Sequence, residues 1–314
     1  MIKIIKNFIK LVNILLNSKI LNRPDFSEKK IFLQGKINYE LNKEKKIIND
    51  LSDVEFSVFS QFGEDGIINW IIDKLDSIPK IFIEIGTQDY WESNTRFLLK
   101  LKNWKGYLIE ANIDDVKKIK TQSIYWQNDI KVIHKFIDKD NILSTLNKNV
   151  AEKEIGLISL DIDGNDYWIL EKIENIKPYI FVCEYNPIFG DLNLISTLYD
   201  PFFDRTKKHY SNMYFGCSIK ALIDLMDKKH YTFLGSNSKG MNAFFIRNDL
   251  IENFRISIRN KKIFKPTIRE ARDEKGRLNF KTVSENFELI KNLDVIDLTD
   301  YSKKKLSDFK KIFS

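Results

Sequence analysis

Three aspartates follow a buried strand within a single predicted turn. The stretch GLISLDIDGNDYWIL, residues 156–170, begins with mostly apolar residues, contains Asp161, Asp163 and Asp166, and then becomes apolar again. Like charges at this spacing repel one another, and a partly buried carboxylate is costly to ionise without a cation, a hydrogen-bond donor or a proton nearby. We therefore expect a cation or a hydrogen-bonding ligand at this turn, which makes it the first candidate for chemistry.

Strands and helices alternate around this turn. Seven short apolar runs are predicted strands: residues 80–86, 106–112, 131–137, 156–162, 179–185, 231–235 and 242–249. Helical spacing of apolar residues fills most of the intervals between them. The pattern predicts an α/β fold with a mainly parallel seven-stranded sheet covered by helices on both faces. Because the last two runs lie close together without a helix between them, we expect them to form a C-terminal antiparallel hairpin at one edge.

The carboxyl ends of these strands carry polar residues that could bind a ligand, as open α/β sheets do. These residues, in strand order, are Glu84, Gly86 and Thr87; Glu110 and Asn112; Asp161 and Asp163; Glu184 and Asn186. A glycine after the first strand lets a ligand approach the backbone, and an acid closing the second strand can accept hydrogen bonds from both ribose hydroxyls. The segment GTQDYW lacks the later glycines of a dinucleotide fingerprint. A nucleoside cofactor without phosphate is therefore favoured, and S-adenosylmethionine (SAM) is such a ligand.

Several sequence blocks occur in an informative order between residues 56 and 250. They are SQFGEDGII, IFIEIGTQDYWESNTRFLL, WKGYLIEAN, LISLDIDGNDYWIL, VCEYNP, YFGCSIKALIDLMDKKHYTFLG and NAFFIRNDL. Together these blocks resemble the FkbM-type family of SAM-dependent methyltransferases. The resemblance implies a Rossmann-like class I methyltransferase fold and O-methylation of a hydroxyl on a sugar, a glycan precursor or a related small molecule, often in polysaccharide biosynthesis. It places Glu84 and Gly86 in the cofactor loop and Glu110 at the ribose, although GTQDY replaces the family's GAGDG-like loop.

Three interpretations of the aspartate turn stay open. In catechol-type methyltransferases, which this region resembles, acids and an amide at the ends of the fourth and fifth strands hold Mg²⁺; the corresponding ligands here are Asp161, Asp163, Glu184 and Asn186. Without a metal, one carboxylate among Asp161, Asp163 and Glu184 acts as a general base while the others bind substrate hydroxyls. In the third interpretation, residues 163–166 form a turn that caps the following helix, and capping by Asp166 is compatible with either functional role.

His209 lies in a predicted loop and is a further candidate base, although a lone loop histidine is more often a surface residue. Asp161 is also a candidate for binding the cofactor itself. The irregular, aromatic segment at residues 187–214, which contains this histidine, is predicted to be a lid over the acceptor.

Other functions compete with methyl transfer. The triplet DID after an apolar strand matches the DxD site by which glycosyltransferases hold a metal and a nucleotide diphosphate, but this function gives no role to Glu84, Gly86 and Glu110. The stretch DIDGND resembles the DxDG loop of haloacid-dehalogenase-type phosphatases, which normally follows the first strand rather than the fourth. A non-catalytic methyltransferase-fold scaffold is favoured by the altered GTQDY loop and disfavoured by the aligned carboxylates.

Composition limits the partners. The net charge is +7, but the lysines are spread along the chain and no nucleic-acid motif occurs, so nucleic acid is not an expected partner. The expected partners are a small-molecule or glycan acceptor and a second copy in a homo-oligomer. Cys183 and Cys217 are far apart and form no metal-type pair, which predicts a reduced, cytoplasmic protein.

Three regions are predicted along the chain. Residues 1–55 comprise an amphipathic helix at 1–21 and a linker with one short helix, residues 56–250 the methyltransferase domain, and residues 251–314 a basic helical extension. The apolar face of the first helix, opposite its lysines, suits either an anionic membrane surface at the inner face of the membrane or docking on the protein itself or a second subunit.

Overall fold

The structure is a computed structural model that describes residues 24–263 and 270–314, with side chains described from residue 27 onward. The amphipathic helix predicted at residues 1–21 lies outside the described residues.

Seven strands form the central sheet. Five are parallel: β1 (Ile81–Ile85), β2 (Lys105–Glu110), β3 (Ile130–His134), β4 (Leu157–Leu160) and β5 (Ile180–Glu184). After β6 (Ile195–Thr197), which belongs to a second sheet, come β7 (Tyr231–Ser236) and β8 (Asn242–Arg247). Strand β8 is antiparallel to both β5 and β7, and the order across the sheet is β3-β2-β1-β4-β5-β8-β7. The predicted mainly parallel seven-stranded sheet and its antiparallel hairpin are confirmed.

Helices cover both faces of this sheet. Their bounds are α1 (Pro24–Lys43), α2 (Glu64–Asp73), α3 (Arg96–Lys102), α4 (Ile113–Thr121), α5 (Ser123–Gln127), α6 (Ile142–Asn149), α7 (Asp166–Lys172), α8 (Arg205–Lys208), α9 (Ile219–Lys228), α10 (Glu252–Arg255) and α11 (Val283–Ile290). Side chains alternate between the two faces of a strand. Along β1, Ile83 and Ile85 join one hydrophobic cluster with helices α6, α7 and α9, whereas Phe82 joins a second cluster with α2 and α3.

Helix α1 is longer than the sequence suggested. The lysine-rich stretch predicted as a linker with one short helix forms 20 helical residues. On its inner face Phe32 and Tyr39 pack with Phe97 of α3, and Glu28 forms an ion pair of 3.0 Å with the buried Arg96. Tertiary contacts of one face therefore stabilise this helix. Because its apolar residues are only weakly periodic, the sequence did not indicate its length.

A second, three-stranded sheet was not predicted. Strands β9 (Asp294–Asp297) and β10 (Ser302–Lys305) lie in the region expected to be a basic helical extension, and the sheet order is β10-β9-β6. All its pairings are antiparallel. Residues from this region also complete a third hydrophobic cluster with the segment after β5, including Ile290, Val295, Leu306 and Ile312. The boundaries of the three regions stay a prediction.

Among the described residues, no helix is both long and apolar enough to cross a lipid bilayer.

Candidate functional site

A cavity of about 380 Å³ lies at the carboxyl ends of the parallel strands. Its lining includes residues that end or follow the five parallel strands, residues at the start of β8, and residues from α8 and from the start of the last described segment. From β1 the chain passes to β2 on one side of the sheet, whereas from β4 it passes to β5 on the opposite side. The strand order therefore reverses between β1 and β4. Ligands of open α/β sheets bind at this switch point.

Gly86 marks the place where the ends of β1 and β4 approach most closely. Its φ is +85°, and a Cβ atom added to it would lie 1.7 Å from the carbonyl oxygen of Asp161. Its N–H donates to the carbonyl of Ile109 at 3.0 Å, which ties the same residue to β2. A glycine is required here by the neighbouring backbone itself, because no side chain fits between the two strand ends.

Glu84 is buried within β1 and holds the loop that follows. Its carboxylate accepts hydrogen bonds from the hydroxyls of Ser93, at 2.7 Å, and Thr95, and from the N–H of Asn94 at 3.0 Å. Burial raises its pKa, and these three donors oppose the rise. Residues 93–95 therefore supply the donors that a buried carboxylate needs, and Glu84 also lines the cavity.

Glu110 at the end of β2 organises the turn after Gly86. Its Oε2 accepts from the N–H groups of Thr87 at 3.0 Å and Gln88 at 2.7 Å, and its Oε1 accepts from the N–H of Asn112 at 2.7 Å. Thr87 and Glu110 line the cavity. Asn112 does not, because its side chain caps α4 by accepting from the N–H of Asp114.

Asp166 closes the aspartate turn. Its two carboxylate oxygens accept from the N–H groups of Ile162 and Gly164, each at 2.9 Å, and it begins helix α7. Burial raises its pKa to about 6, while these backbone donors oppose the shift. The predicted turn is therefore present, but the predicted helix cap is not, because Asp166 is the first helical residue and Asn165 at the N-cap position makes no side-chain capping hydrogen bond. The other two aspartates are left to be explained.

Asp161, Asp163 and Glu184 form a compact carboxylate group. One oxygen from each lies within 4.8 Å of the others. Burial, followed by repulsion from neighbouring carboxylates, raises the pKa of both Asp161 and Glu184 well above its ordinary value. A cation or a proton at this group would relieve both effects, as expected from the sequence.

Arg205 is a cation at this site that sequence reasoning missed. Its guanidinium binds the carboxylates of Asp163 and Glu270, lies over the ring of Phe215 with the Cζ atom 4.7 Å from the centroid, and leaves only 10% of the side chain exposed. Its positive charge opposes the increase in the pKa of Asp161 and Glu184. No local pattern in the short segment around Arg205 indicated this role, because Asp163 is 42 residues away.

Two predicted site residues lie outside the group. The side-chain amide of Asn186 donates to the carbonyls of Met213 and Phe215, each at 2.9 Å, and its oxygen accepts from the N–H of Ile188. His209 does not line the cavity, and its Nδ1 lies 2.7 Å from the hydroxyl of Ser211. Burial lowers the pKa of this histidine. The structure therefore brings together three of the four suggested metal ligands and separates the histidine from them.

Further cavity residues carry buried acceptor atoms. Among the described residues, Glu184 Oε2, Asn165 Oδ1 and Asn242 Oδ1 are buried without a hydrogen-bond partner, and all three residues line the cavity. Asn242 lies opposite Glu184 in the β5–β8 strand pair. The predicted hairpin was therefore the sequence feature that could have indicated its position beside the site.

Comparisons with known proteins show similarity at low identity. No family model matches the sequence, and no curated protein matches it. The chain is similar to a SAM-dependent methyltransferase from Clostridium acetobutylicum ATCC 824, with 8% identity and a TM-score of 0.37 over 59% of this chain and 90% of that one. It is similar to the N-terminal domain of EvdMO1 with SAH bound, with 7% identity and a TM-score of 0.36 over 58% and 79%.

A third structure, the pyocyanin biosynthetic protein PhzM, matches with 9% identity and a TM-score of 0.34 over 55% of this chain. The match spans about half of PhzM, 52% of its length. Since the identities are this low, the fold is assigned from the topology of the chain itself. Five parallel strands, the reversal between β1 and β4 and the final antiparallel hairpin give this chain the Rossmann-like class I methyltransferase fold.

Proposed function

We propose that the chain is a SAM-dependent O-methyltransferase that acts on a hydroxyl of a sugar, a glycan precursor or a related small molecule. The observation that carries this proposal is the position of the cavity, at the switch point of a class I methyltransferase sheet and beside both Gly86 and Glu110. The nature of the acceptor rests on the resemblance of residues 56–250 to the FkbM-type family.

The half of the cavity near β1 and β2 suits the cofactor. Glu110 Oε2 already accepts two backbone hydrogen bonds, whereas Oε1 accepts one and keeps capacity for a ribose hydroxyl. The nucleoside would lie against the backbone of Gly86 and Thr87, which line the cavity. Among the described residues, seven carboxylates and two cations line the cavity, and this excess of negative charge favours a ligand with a positive sulfonium.

The half near β4 and β5 suits the acceptor. In methyl transfer, the acceptor oxygen attacks the methyl carbon, the bond from that carbon to sulfur breaks, and the sulfonium becomes a neutral thioether. The hydroxyl proton leaves with this attack and needs a base. A carboxylate of the compact group is placed to receive it, and burial together with repulsion from neighbouring carboxylates raises the pKa of Asp161 and of Glu184.

A divalent metal ion is an alternative way to activate the hydroxyl. Asp161, Asp163 and Glu184 would hold it, since their oxygens are close enough together for a hard cation, while Asn186 is committed to the fold. When bound, Mg²⁺ would lower the pKa of the acceptor hydroxyl and align its oxygen. Arg205 already offsets part of the same negative charge through Asp163.

Isothermal titration of the purified chain with SAM and with S-adenosylhomocysteine (SAH), each with and without Mg²⁺, tests the proposal. We expect micromolar binding of both nucleosides, lost in Glu110→Ala and retained in Glu154→Ala, an exposed residue outside the cavity. Binding of a uridine diphosphate sugar without binding of SAM or SAH would favour a glycosyltransferase. Failure of all of these ligands to bind would favour a scaffold without catalysis.

A further inference from the structure

The acceptor half of the cavity is short of hydrogen-bond donors. The oxygens Glu184 Oε2, Asn165 Oδ1 and Asn242 Oδ1 have no partner among the described residues. The side chains of Glu92 and Asp161 also line the cavity, and within the described part of the chain neither accepts a hydrogen bond or forms an ion pair. A buried acceptor without a donor destabilises the folded state. A ligand that supplies donors or positive charge would remove this cost.

The two asparagine oxygens cannot be exchanged for donors by rotating the side-chain amides. Asn165 Nδ2 donates to the carbonyl of Asp200 at 2.7 Å, and Asn242 Nδ2 donates to the carboxylate of Glu64 at 2.9 Å. Rotating either amide would place an oxygen against an acceptor that has no proton to give. The two amide oxygens therefore stay acceptors, in residues that line the cavity.

The nearby cation is already committed. Arg205 bridges Asp163 and Glu270, so within the described part of the chain Asp161 and Glu184 of the compact group have no ion pair. A divalent ion bound to all three carboxylates would lie beside this guanidinium and be repelled by it. A singly charged ammonium needs only Asp161 and Glu184, and its three N–H donors match a site rich in acceptors.

We propose that the methyl acceptor carries a primary ammonium group that binds at Asp161 and Glu184, next to the hydroxyl that is methylated. The acceptor class is then an amino sugar or an amino alcohol rather than a neutral sugar. This inference rests on the proposed function, which it deepens by assigning the acceptor's charge. Neutral sugars lack the cation that two unpaired carboxylates require, and an acidic sugar would be repelled by them.

The test titrates the full chain, first saturated with SAH, with D-glucosamine, D-glucose and N-acetyl-D-glucosamine. Saturation with SAH fills the place of the cofactor's own ammonium. We expect D-glucosamine to bind at least about tenfold more tightly than the two neutral sugars, because charge-assisted hydrogen bonds are roughly twice as strong as neutral ones. Glu184→Gln should weaken D-glucosamine binding by about tenfold or more, whereas Glu154→Gln should leave it unchanged.

Each other outcome has a separate meaning. Equal binding of the three sugars, or binding of Mg²⁺ alone that Glu184→Gln abolishes and that displaces D-glucosamine, would overturn the inference. Loss of SAH binding in Glu184→Gln would overturn it as well, since the carboxylate would then serve the cofactor. Failure of the wild-type chain to bind SAM or SAH defeats the proposed function before any sugar is added. Asp161→Asn, at the other proposed ammonium ligand, provides a second charge-removing variant should Glu184→Gln fail to fold, and it should weaken D-glucosamine binding to a similar extent.

Discussion

Replacing Gly86 by alanine tests whether the ends of β1 and β4 are as close as the structure places them. Two costs add at this position. A non-glycine residue at φ +85° costs about 1–2 kcal/mol in backbone strain. The new Cβ would also lie 1.7 Å from the carbonyl oxygen of Asp161, a backbone atom of a buried strand end. Overpacking of this kind costs a further 1–3 kcal/mol or so, and we therefore expect Gly86→Ala to lower the free energy of unfolding by about 2–5 kcal/mol.

The chain offers a matched control in Gly276. Its φ is +76°, and nothing lies within 4 Å of the position that a Cβ would take. Gly276→Ala therefore reports the strain alone, at about 1–2 kcal/mol. Urea unfolding of the wild type and of both variants, followed by circular dichroism, gives the two differences directly. Equal destabilisation by the two substitutions would refute the close approach, because the steric part of the cost would then be missing.

Further predictions concern Glu110, Asp166 and Asn186. Glu110→Gln replaces one carboxylate oxygen by an amide nitrogen, so the side chain can no longer accept from Thr87 and Gln88 and from Asn112 at the same time. SAM should then bind about tenfold more weakly by isothermal titration; unchanged affinity would show that this turn does not shape the cofactor site. The pKa of Asp166 is raised from 3.8 to about 6 in the folded state. Its contribution to stability is therefore complete below pH 3.8 and is lost as the pH rises through 6. The unfolding free energy of the wild type relative to Asp166→Asn should fall by roughly 3 kcal/mol between pH 3 and pH 7, and a difference independent of pH would contradict the raised pKa. Asn186→Asp would place a carboxylate against two carbonyl oxygens, so thermal unfolding should show a loss of about 3–5 kcal/mol. A metal ligand would tolerate this substitution in the presence of Mg²⁺, and rescue by the ion would show that Asn186 binds it.

The seven strands of the central sheet and the position of the cavity followed from the sequence alone. Strands buried on both faces are short continuous runs of apolar residues, and such runs are visible without any tertiary information. The polar residues that follow them meet because parallel strands end at the same edge. Glu84, Gly86, Glu110, Asp161 and Glu184 were therefore found by their place after a strand, and all of them line the cavity.

What each of these groups binds was decided by the tertiary structure. Glu110 holds the turn at Thr87 and Gln88, and Asn186 holds the carbonyls of Met213 and Phe215, because loops that are distant in sequence return to these strand ends. Neither arrangement leaves a periodic pattern in the sequence.

The same reason explains the residues that were missed. Arg205 reaches Asp163 across 42 positions and Glu270 across 65, so its role depends on the path of the whole chain. The small sheet is equally non-local, since β9 pairs with β6 about a hundred residues earlier in the chain. The sequence determined the sheet and the edge at which chemistry can occur. The tertiary structure decided which carboxylates are already paired and which are left for a ligand, because pairing depends on distances that local patterns do not encode.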